Sequence, residues 1–177
     1  MKPPERFETK RLILRKPCMA DAPAIFASYA QDPEITRYMT WTPHKNIDET
    51  YGIVEMMLKY WEDGSTYSFA IIPKDSSSVV GMIAMHPAGF KVEIGYVLAR
   101  PHWGKGFITE AARMVINWLL EQPSIYRVFA TCDVENLASA HVMEKVGMKR
   151  EGILRQNTIR FNVGNEPRDS YIYAIVK

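Results

Sequence analysis

The chain has 177 residues, of which 47% are hydrophobic and 24% charged, a balance typical of one globular domain with a sizeable core. We therefore expect a single domain spanning residues 1–177. The net charge of +2 gives no reason to expect direct binding of nucleic acid or of an anionic membrane.

The cysteine content and the N-terminus bear on the cellular compartment. Cys18 and Cys132 are too few for a disulfide framework and lack the spacing of a zinc site. The opening MKPPERFETKRL lacks the apolar core of a signal peptide, and no later stretch reaches the roughly 18 apolar residues of a membrane helix. A cytoplasmic setting is therefore expected.

The first third of the chain is predicted to hold one strand and two helices. Residues 12–15 are typical of a strand, and Asp21 precedes an alanine-rich amphipathic pattern. A second helix is predicted to begin near Asp48 and to end at Asp63 and Gly64, because its apolar residues are spaced for one buried face.

Three short β-type runs follow, at 67–72, 79–85 and 92–98, and the short links between them predict antiparallel neighbours. The clearest helix begins within RPHWGKGFITEA (100–111), because apolar residues then recur at helical spacing as far as Leu120.

The last third is predicted to contain a strand at 127–132, a helix capped by Asn136 and Gly147, and two closing strands. Because a strand–helix–strand crossover is right-handed, the strands at 92–98 and 127–132 are predicted to be parallel neighbours. The predicted fold class is α/β (α+β), with a mixed, mostly antiparallel sheet of about six or seven strands flanked by helices.

The glycines in the segment 103–109 admit several interpretations. A nucleoside triphosphate loop is disfavoured because it needs GxxxxGK followed by Ser or Thr. A dinucleotide fingerprint is disfavoured because Thr109 takes the place of its third glycine and few βα units follow. Two interpretations stay open: a pyrophosphate cradle at a helix N-terminus, and a tight turn that needs glycine only for positive φ.

Three segments occur in an order known from one family: EIGYVL (93–98), RPHWGKGFITEA (100–111) and NLASAHVMEKVGMKREG (136–152). Together they resemble the GNAT superfamily of N-acyltransferases, in its RimJ/RimL-like branch, which acetylates the N-terminal amines of proteins. The resemblance extends to FETKRLILR (7–15) and DPEITRYMTWTP (32–43). It implies the GNAT acyl-CoA N-acyltransferase fold, with acetyl-coenzyme A as cosubstrate and no metal.

The resemblance implies that the coenzyme binds at the glycine segment and the strand before it. A bulge would splay that strand from its parallel neighbour, and the main chain of Val97 and Leu98 would pair with the pantetheine amides. Ile108 stands where the family has a small residue. The residues implied in coenzyme binding are Val97, Leu98, Trp103, Gly104, Lys105, Gly106, Phe107, Ile108, Thr109, Asn136 and Ser139.

Acetyl transfer needs a neutral amine and a proton for the departing thiolate. The resemblance implies Glu93 as the base, directly or through water, on the face opposite Val92; a solvated strand glutamate is the alternative. Many family members carry a tyrosine where this chain has Met143, which cannot donate a proton. The RimJ/RimL-like branch instead has a serine three residues after the asparagine, so the resemblance implies Ser139 as the partner of the coenzyme sulfur, although Asn136 and Ser139 also suit an ordinary helix start.

The acceptor amine is predicted to lie near the helical region around residues 37–41 and the C-terminal strands. Tyr38, Trp41 and Glu93 are its expected contacts, although both aromatic residues also suit core or lid packing. His141 is an alternative proton shuttle that packing or surface exposure also explains.

The predicted activity is acetyl transfer from acetyl-coenzyme A to a primary amine by direct attack on the thioester. The expected acceptors are a protein or peptide N-terminus, then a small-molecule amine, then an antibiotic amine, and the protein is expected to be a monomer or homodimer. The alternative is a GNAT-fold sensor or structural module that binds acyl-coenzyme A without turnover, which Met143 keeps open.

Overall fold

The computed structural model describes residues 1–177, and its centre is one sheet of eight strands in the order β1-β2-β3-β4-β5-β6-β8-β7. The sheet is larger than predicted because β1, which pairs with β2, is too short to show a periodicity in the sequence. The strands are β1 (Arg6–Glu8), β2 (Leu12–Arg15), β3 (Tyr67–Pro73), β4 (Gly81–Ala88), β5 (Lys91–Leu98), β6 (Arg127–Asp133), β7 (Lys149–Ile159) and β8 (Pro167–Val176).

The helices end where the sequence supplies caps. Asn46 caps the long third helix by accepting a hydrogen bond from the Glu49 amide, and Gly64, with φ of 79°, ends it. Gly147, with φ of 91°, follows the last helix as predicted. The helices are α1 (Ala22–Ile25), which continues as a π-helical turn (Phe26–Ala30), α2 (Pro33–Thr36), α3 (Ile47–Asp63), α4 (Phe107–Glu121) and α5 (Leu137–Lys145).

The strands pair antiparallel except β5 and β6, which are parallel neighbours as predicted. β4 is displaced from its predicted position, since it continues through His86 to Ala88 and the turn consists of Gly89 and Phe90. Gly89 makes that turn with φ of 65°. His86 is therefore a strand residue, whereas the turn-forming residues of HPAG (86–89) predict a turn there.

The sheet is covered on both faces. Val92 and Ile94 belong to the larger buried cluster, together with the inner face of α4, whereas α1 and α3 contribute Ile25 and Val54 to a smaller cluster. Because side chains alternate along β5, Glu93 points away from the α4 face, as predicted. None of the helices combines the length and the apolar character needed to cross a membrane.

Candidate active site

β5 and β6 diverge partway along their length. They pair only where Lys91–Glu93 lies beside Arg127–Phe129, so the C-terminal part of β5 has no partner on the β6 side. The register of β5 against β4 runs without interruption from Lys91 to Leu98, so the predicted bulge in β5 is absent. The gap therefore comes from the divergence of two regular strands, and it exposes main-chain groups that a ligand with amides can pair with.

The main-chain groups that face this gap come from alternate residues of β5. A side chain at Gly81 of β4 would collide with the carbonyl oxygen of Val97, so that carbonyl faces β4 and not the gap. The main-chain groups of Leu98, the next residue, point to the side of β5 away from β4, and its carbonyl oxygen accepts a 2.7 Å hydrogen bond from the indole of Trp103. The main-chain groups that we expect to pair with the pantetheine amides are therefore those of Tyr96 and Leu98, and not those of Val97.

The glycine segment leads from β5 into the N-terminus of α4. Gly104 and Gly106 have φ of 73° and 77°, so glycine is required there by backbone conformation alone. No side chain caps α4, which leaves its first amide groups available to an anion. A Cβ at Gly104 would meet no protein atom within 4 Å, so the space beside that residue is accessible to a ligand.

Arg11, just before β2, holds the glycine segment in place together with Glu110, which lies in the first turn of α4. Arg11 donates to the Lys105 carbonyl oxygen at 2.9 Å and to Glu110 at 2.6 Å, and its guanidinium lies over the ring of Phe107. Ile108 is only 7% exposed and packs in the core, so its side chain faces inward and leaves only its main chain to the cradle. Thr109 is half-buried in the first turn of α4.

Ser139 lies across the gap, at the start of α5. Its amide donates to the Asn136 side chain at 3.2 Å, so Asn136 is the N-cap that the sequence predicted. The Ser139 hydroxyl lies 2.9 Å from the hydroxyl of Tyr96, which also donates to the Ser139 carbonyl oxygen. Burial raises the pKa of Tyr96, so its phenol keeps its proton throughout the physiological range.

Met143 and Cys132 complete the surroundings of this hydroxyl pair. Met143 is 1% exposed and belongs to the core, so the residue at the usual tyrosine position does not reach the gap. Burial raises the pKa of the Cys132 thiol to about 11, so this residue is an un-ionised neighbour of Ser139. His141, the alternative shuttle, is exposed on α5.

Glu93 lies in a polar row that crosses the sheet. The hydroxyl of Thr131 on β6 donates to Glu93 at 3.2 Å, and His86 is the direct cross-strand neighbour of Glu93 on β4. The imidazole of His86 contacts the hydroxyl of Thr66 at 3.0 Å. Desolvation lowers the pKa of His86, with Glu93 opposing it, so the imidazole is neutral at pH 7 and can accept a proton.

The segment between α2 and α3 and the link between β7 and β8 meet beside this row. Asn162 of the link donates to the carbonyl oxygens of Thr36 and Trp41 at 2.7 and 2.8 Å. The Trp41 side chain packs against the smaller core cluster, whereas Tyr38 is half-buried with Arg37 over its ring. Trp41 packs against the same cluster as Val97, which lies on the Glu93 face of β5, whereas no contact of Tyr38 with that face is seen and its role stays a prediction.

The structure places the glycine segment, Leu98 and Ser139 around the end of β5, whereas no hydrogen bond joins Tyr38 or Trp41 to Glu93; two further residues, Tyr96 and His86, lie beside the predicted ones. Tyr96 was given no role from the sequence, although its place in EIGY (93–96) was a signal. His86 was assigned to a turn because Pro87 and Gly89 follow it. An open surface depression beside Glu135 and the β7–β8 link is lined by none of these residues. Tyr96 and Glu93 lie on opposite faces of β5, because side chains alternate along a strand.

The chain and its fold are similar to those of known proteins. The family model of the acetyltransferase (GNAT) domain matches residues 11–149. The uncharacterised N-acetyltransferase p20 of Bacillus licheniformis is 32% identical over 154 residues, which cover 85% of this chain and 86% of the relative. A GNAT-family acetyltransferase structure from Bacillus anthracis is 29% identical, with a TM-score of 0.84 and coverage of 97% and 98% of the two chains. RimL, a ribosomal L7/L12 alpha-N-protein acetyltransferase in complex with coenzyme A, shares the fold at 19% identity, with a TM-score of 0.85 and coverage of 97% and 98%.

Proposed function

Because the chain belongs to the GNAT family of acetyl-coenzyme A dependent N-acetyltransferases, we propose that it acetylates a primary amine held on the Glu93 face of β5. The divergence of β5 from β6, which leads directly to the uncapped N-terminus of α4, is the observation that carries this proposal. A protein or peptide N-terminus is the favoured acceptor, followed by a small-molecule amine. RimL, whose name describes action on a protein N-terminus, supports that order through its shared fold.

The coenzyme supplies the acetyl group as a thioester, and this chain supplies its binding surface. The amide groups of Gly104 to Gly106 and the N-terminus of α4 would hold the diphosphate, since both present donors without a side-chain cap. The main-chain groups of Tyr96 and Leu98 would pair with the pantetheine amides, as an added strand would. The indole of Trp103 fixes the end of β5 through the Leu98 carbonyl oxygen.

Two proton transfers are assigned to residues on opposite sides of β5. Glu93 removes a proton from the acceptor amine, directly or through water, and the neutral His86 beside it provides a second proton acceptor on the way to solvent. Ser139, hydrogen-bonded to the Tyr96 phenol, protonates the departing thiolate. The Tyr96 phenol provides the proton source that Met143 cannot supply, so we favour turnover over a binding-only role.

Thiol release on mixing with acetyl-coenzyme A and amines tests this proposal. Wild-type protein is expected to release thiol with at least one class in a panel of N-terminal peptides, polyamines and small amines. Glu93→Gln is expected to lower kcat/KM by about 100-fold or more, because a general base contributes that much or more to the rate. Glu55→Gln, an exposed change on α3, serves as the control. Thermal stabilisation by acetyl-coenzyme A without thiol release from any amine would contradict the proposed turnover.

A further inference from the structure

Arg160, at the start of the β7–β8 link, is a buried cation that the mechanism above does not use. The residue is only 8% exposed, and its Nε has no hydrogen-bonding partner. A buried guanidinium is costly unless it is paired, because it loses the hydration it had in water. An isolated buried arginine that persists beside a reaction site indicates a partner that arrives with the substrate.

The nearby acidic residues do not neutralise Arg160. Asp133 is paired with Arg168 through two hydrogen bonds of 2.6 and 3.0 Å, and Arg168 also bonds Glu135 at 2.9 Å. Glu93 accepts its hydrogen bond from a neutral group, Thr131. Neither Glu93 nor Arg160 therefore has an ion-pair partner.

The turn that begins at Arg160 lies on the Glu93 face of the sheet, because its Asn162 donates to the Trp41 carbonyl oxygen and Trp41 packs against the same cluster as Val97, which shares a face of β5 with Glu93. Burial lowers the pKa of the Arg160 guanidinium, and the charges of Asp133 and Glu93 oppose that effect, so both carboxylates lie within electrostatic range. The carbonyl oxygen of Arg160 accepts from the amides of Val163 and Gly164, which forms a tight turn. Asn162 then ties that turn to Thr36 and Trp41, so the base of the arginine is held in place before any ligand binds.

We propose that Arg160 binds an anionic oxygen group of the acceptor, so that the enzyme selects amines with a carboxylate close to the reacting nitrogen. The amine faces Glu93 and the carboxylate forms charge-assisted hydrogen bonds with the guanidinium. This inference rests on the proposed function, because it takes the Glu93 face as the acceptor site. The same chemistry is offered by a free amino acid, through its α-carboxylate, and by a peptide whose first side chain is Asp or Glu.

Thiol release with charge-matched acceptors tests the assignment. One arm compares free amino acids with their amides, and a second compares peptides that begin with Asp or Glu with peptides that begin with Asn or Gln. Wild-type protein is expected to prefer the acid member of the pairs in one arm, which identifies the source of the carboxylate. Arg160→Gln is expected to lower kcat/KM for acid acceptors by about 10- to 100-fold and to change it for neutral amines by less than about twofold.

Arg155→Gln is the matched control, because Arg155 is an exposed arginine on β7, five positions before Arg160. It is expected to leave the acid preference unchanged. Thermal unfolding of the unliganded protein adds a readout that separates binding from structure. Arg160→Gln is expected to raise Tm, because it removes an unpaired buried charge. A lower Tm together with an equal loss on acid and neutral acceptors would assign Arg160 a structural role and overturn the proposal.

The failure of the proposed function and the failure of this inference give different results. Thiol release without any preference between acid acceptors and their amides would overturn the proposed anion subsite but would still support the transferase activity. If wild-type protein releases no thiol with any amine, titration calorimetry with coenzyme A present compares N-acetyl amino acids with their amides. A preference for the acid that Arg160→Gln abolishes supports the subsite, and equal binding overturns it.

Discussion

Met143 occupies the position where the family resemblance would place a tyrosine, yet a phenol hydroxyl reaches the same helix from Tyr96 on β5. The hydroxyls of Tyr96 and Ser139 lie 2.9 Å apart, and burial raises the pKa of the phenol. At the scale of single residues, the phenol that we propose as proton source therefore comes from β5 and not from α5, where the resemblance places a tyrosine.

Removing either hydroxyl is expected to slow turnover. Ser139→Ala should lower kcat by about 100-fold, and Tyr96→Phe by about tenfold, because Tyr96 acts through Ser139. The double variant should be no slower than Ser139→Ala alone, which is the signature of coupled residues. The KM for acetyl-coenzyme A should change little, and steady-state thiol release measures both constants.

Tyr126→Phe is the control for this pair, because Tyr126 is 57% exposed and has no proposed role in binding or catalysis. Wild-type turnover in Tyr96→Phe would leave this phenol a packing residue, and additive losses would mean that the two hydroxyls act separately. Unchanged turnover in Ser139→Ala would reduce Ser139 to a helix-start residue.

At the scale of elements, the glycine segment combines a conformational requirement with a binding surface. Gly104 and Gly106 need positive φ whether or not a ligand binds, so their presence alone does not distinguish a cradle from a turn. The uncapped N-terminus of α4 and the open edge of β5 favour the cradle that we propose, because both present unpaired donors beside the glycines.

A pair of matched glycine substitutions separates strain from ligand binding. Gly104 and Gly89 have φ of 73° and 65°, and a Cβ at either position would meet no atom within 4 Å. Gly104→Ala and Gly89→Ala should therefore each destabilise the fold by about 1 kcal/mol through backbone strain. Only Gly104→Ala is expected to weaken acetyl-coenzyme A binding, by about tenfold, or about 1.4 kcal/mol.

Thermal unfolding measures the first effect and ligand titration the second. Equal affinity of both variants for acetyl-coenzyme A would mean that the segment is only a tight turn. Weakened binding in Gly89→Ala would show that the loss of affinity follows from general destabilisation.

At the scale of the whole molecule, the C-terminal strands are joined to β6 by a buried charge pair. Burial, the largest influence, raises the pKa of Asp133, but hydrogen bonds from Arg168 and from the Glu135 amide outweigh it, so the net pKa is lowered. A carboxyl group whose pKa falls on folding stabilises the protein above its unfolded pKa, about 4, and loses that contribution as the pH falls through the folded value.

Asp133→Asn is expected to destabilise the protein by about 3 kcal/mol at pH 7, because it leaves Arg168 without its main partner. The difference from wild type should shrink as the pH falls from about 5 towards 2, where the wild-type carboxyl becomes protonated. Urea unfolding across this range provides the measurement, and Asp75→Asn, in an exposed turn, provides the control. A difference that stays constant down to pH 2 would exclude the ion pair as the cause.

The sequence by itself determined the long helices α3, α4 and α5, the parallel placement of β5 and β6 and the caps at Asn136 and Gly147, whereas α2 (Pro33–Thr36), a single turn, was not predicted. These features depend on local patterns, namely periodicity, cap residues and the length of a crossover, which the chain carries in order. The glycine segment, Glu93 and Ser139 were proposed from motif resemblance, which is read along the chain, and their roles stay predictions. β1 and the full length of β4 were not predicted, because three residues show no period and Pro87 is typical of a turn.

Only the tertiary structure decided which residues face one another across the gap. The hydroxyl pair of Tyr96 and Ser139 joins residues 43 positions apart, and His86 meets Glu93 through strand register. The isolation of Arg160 likewise depends on Asp133 being occupied by Arg168 from another strand. Local patterns specify which face a side chain takes, whereas pairing between distant side chains depends on strand register and divergence, which long-range packing sets.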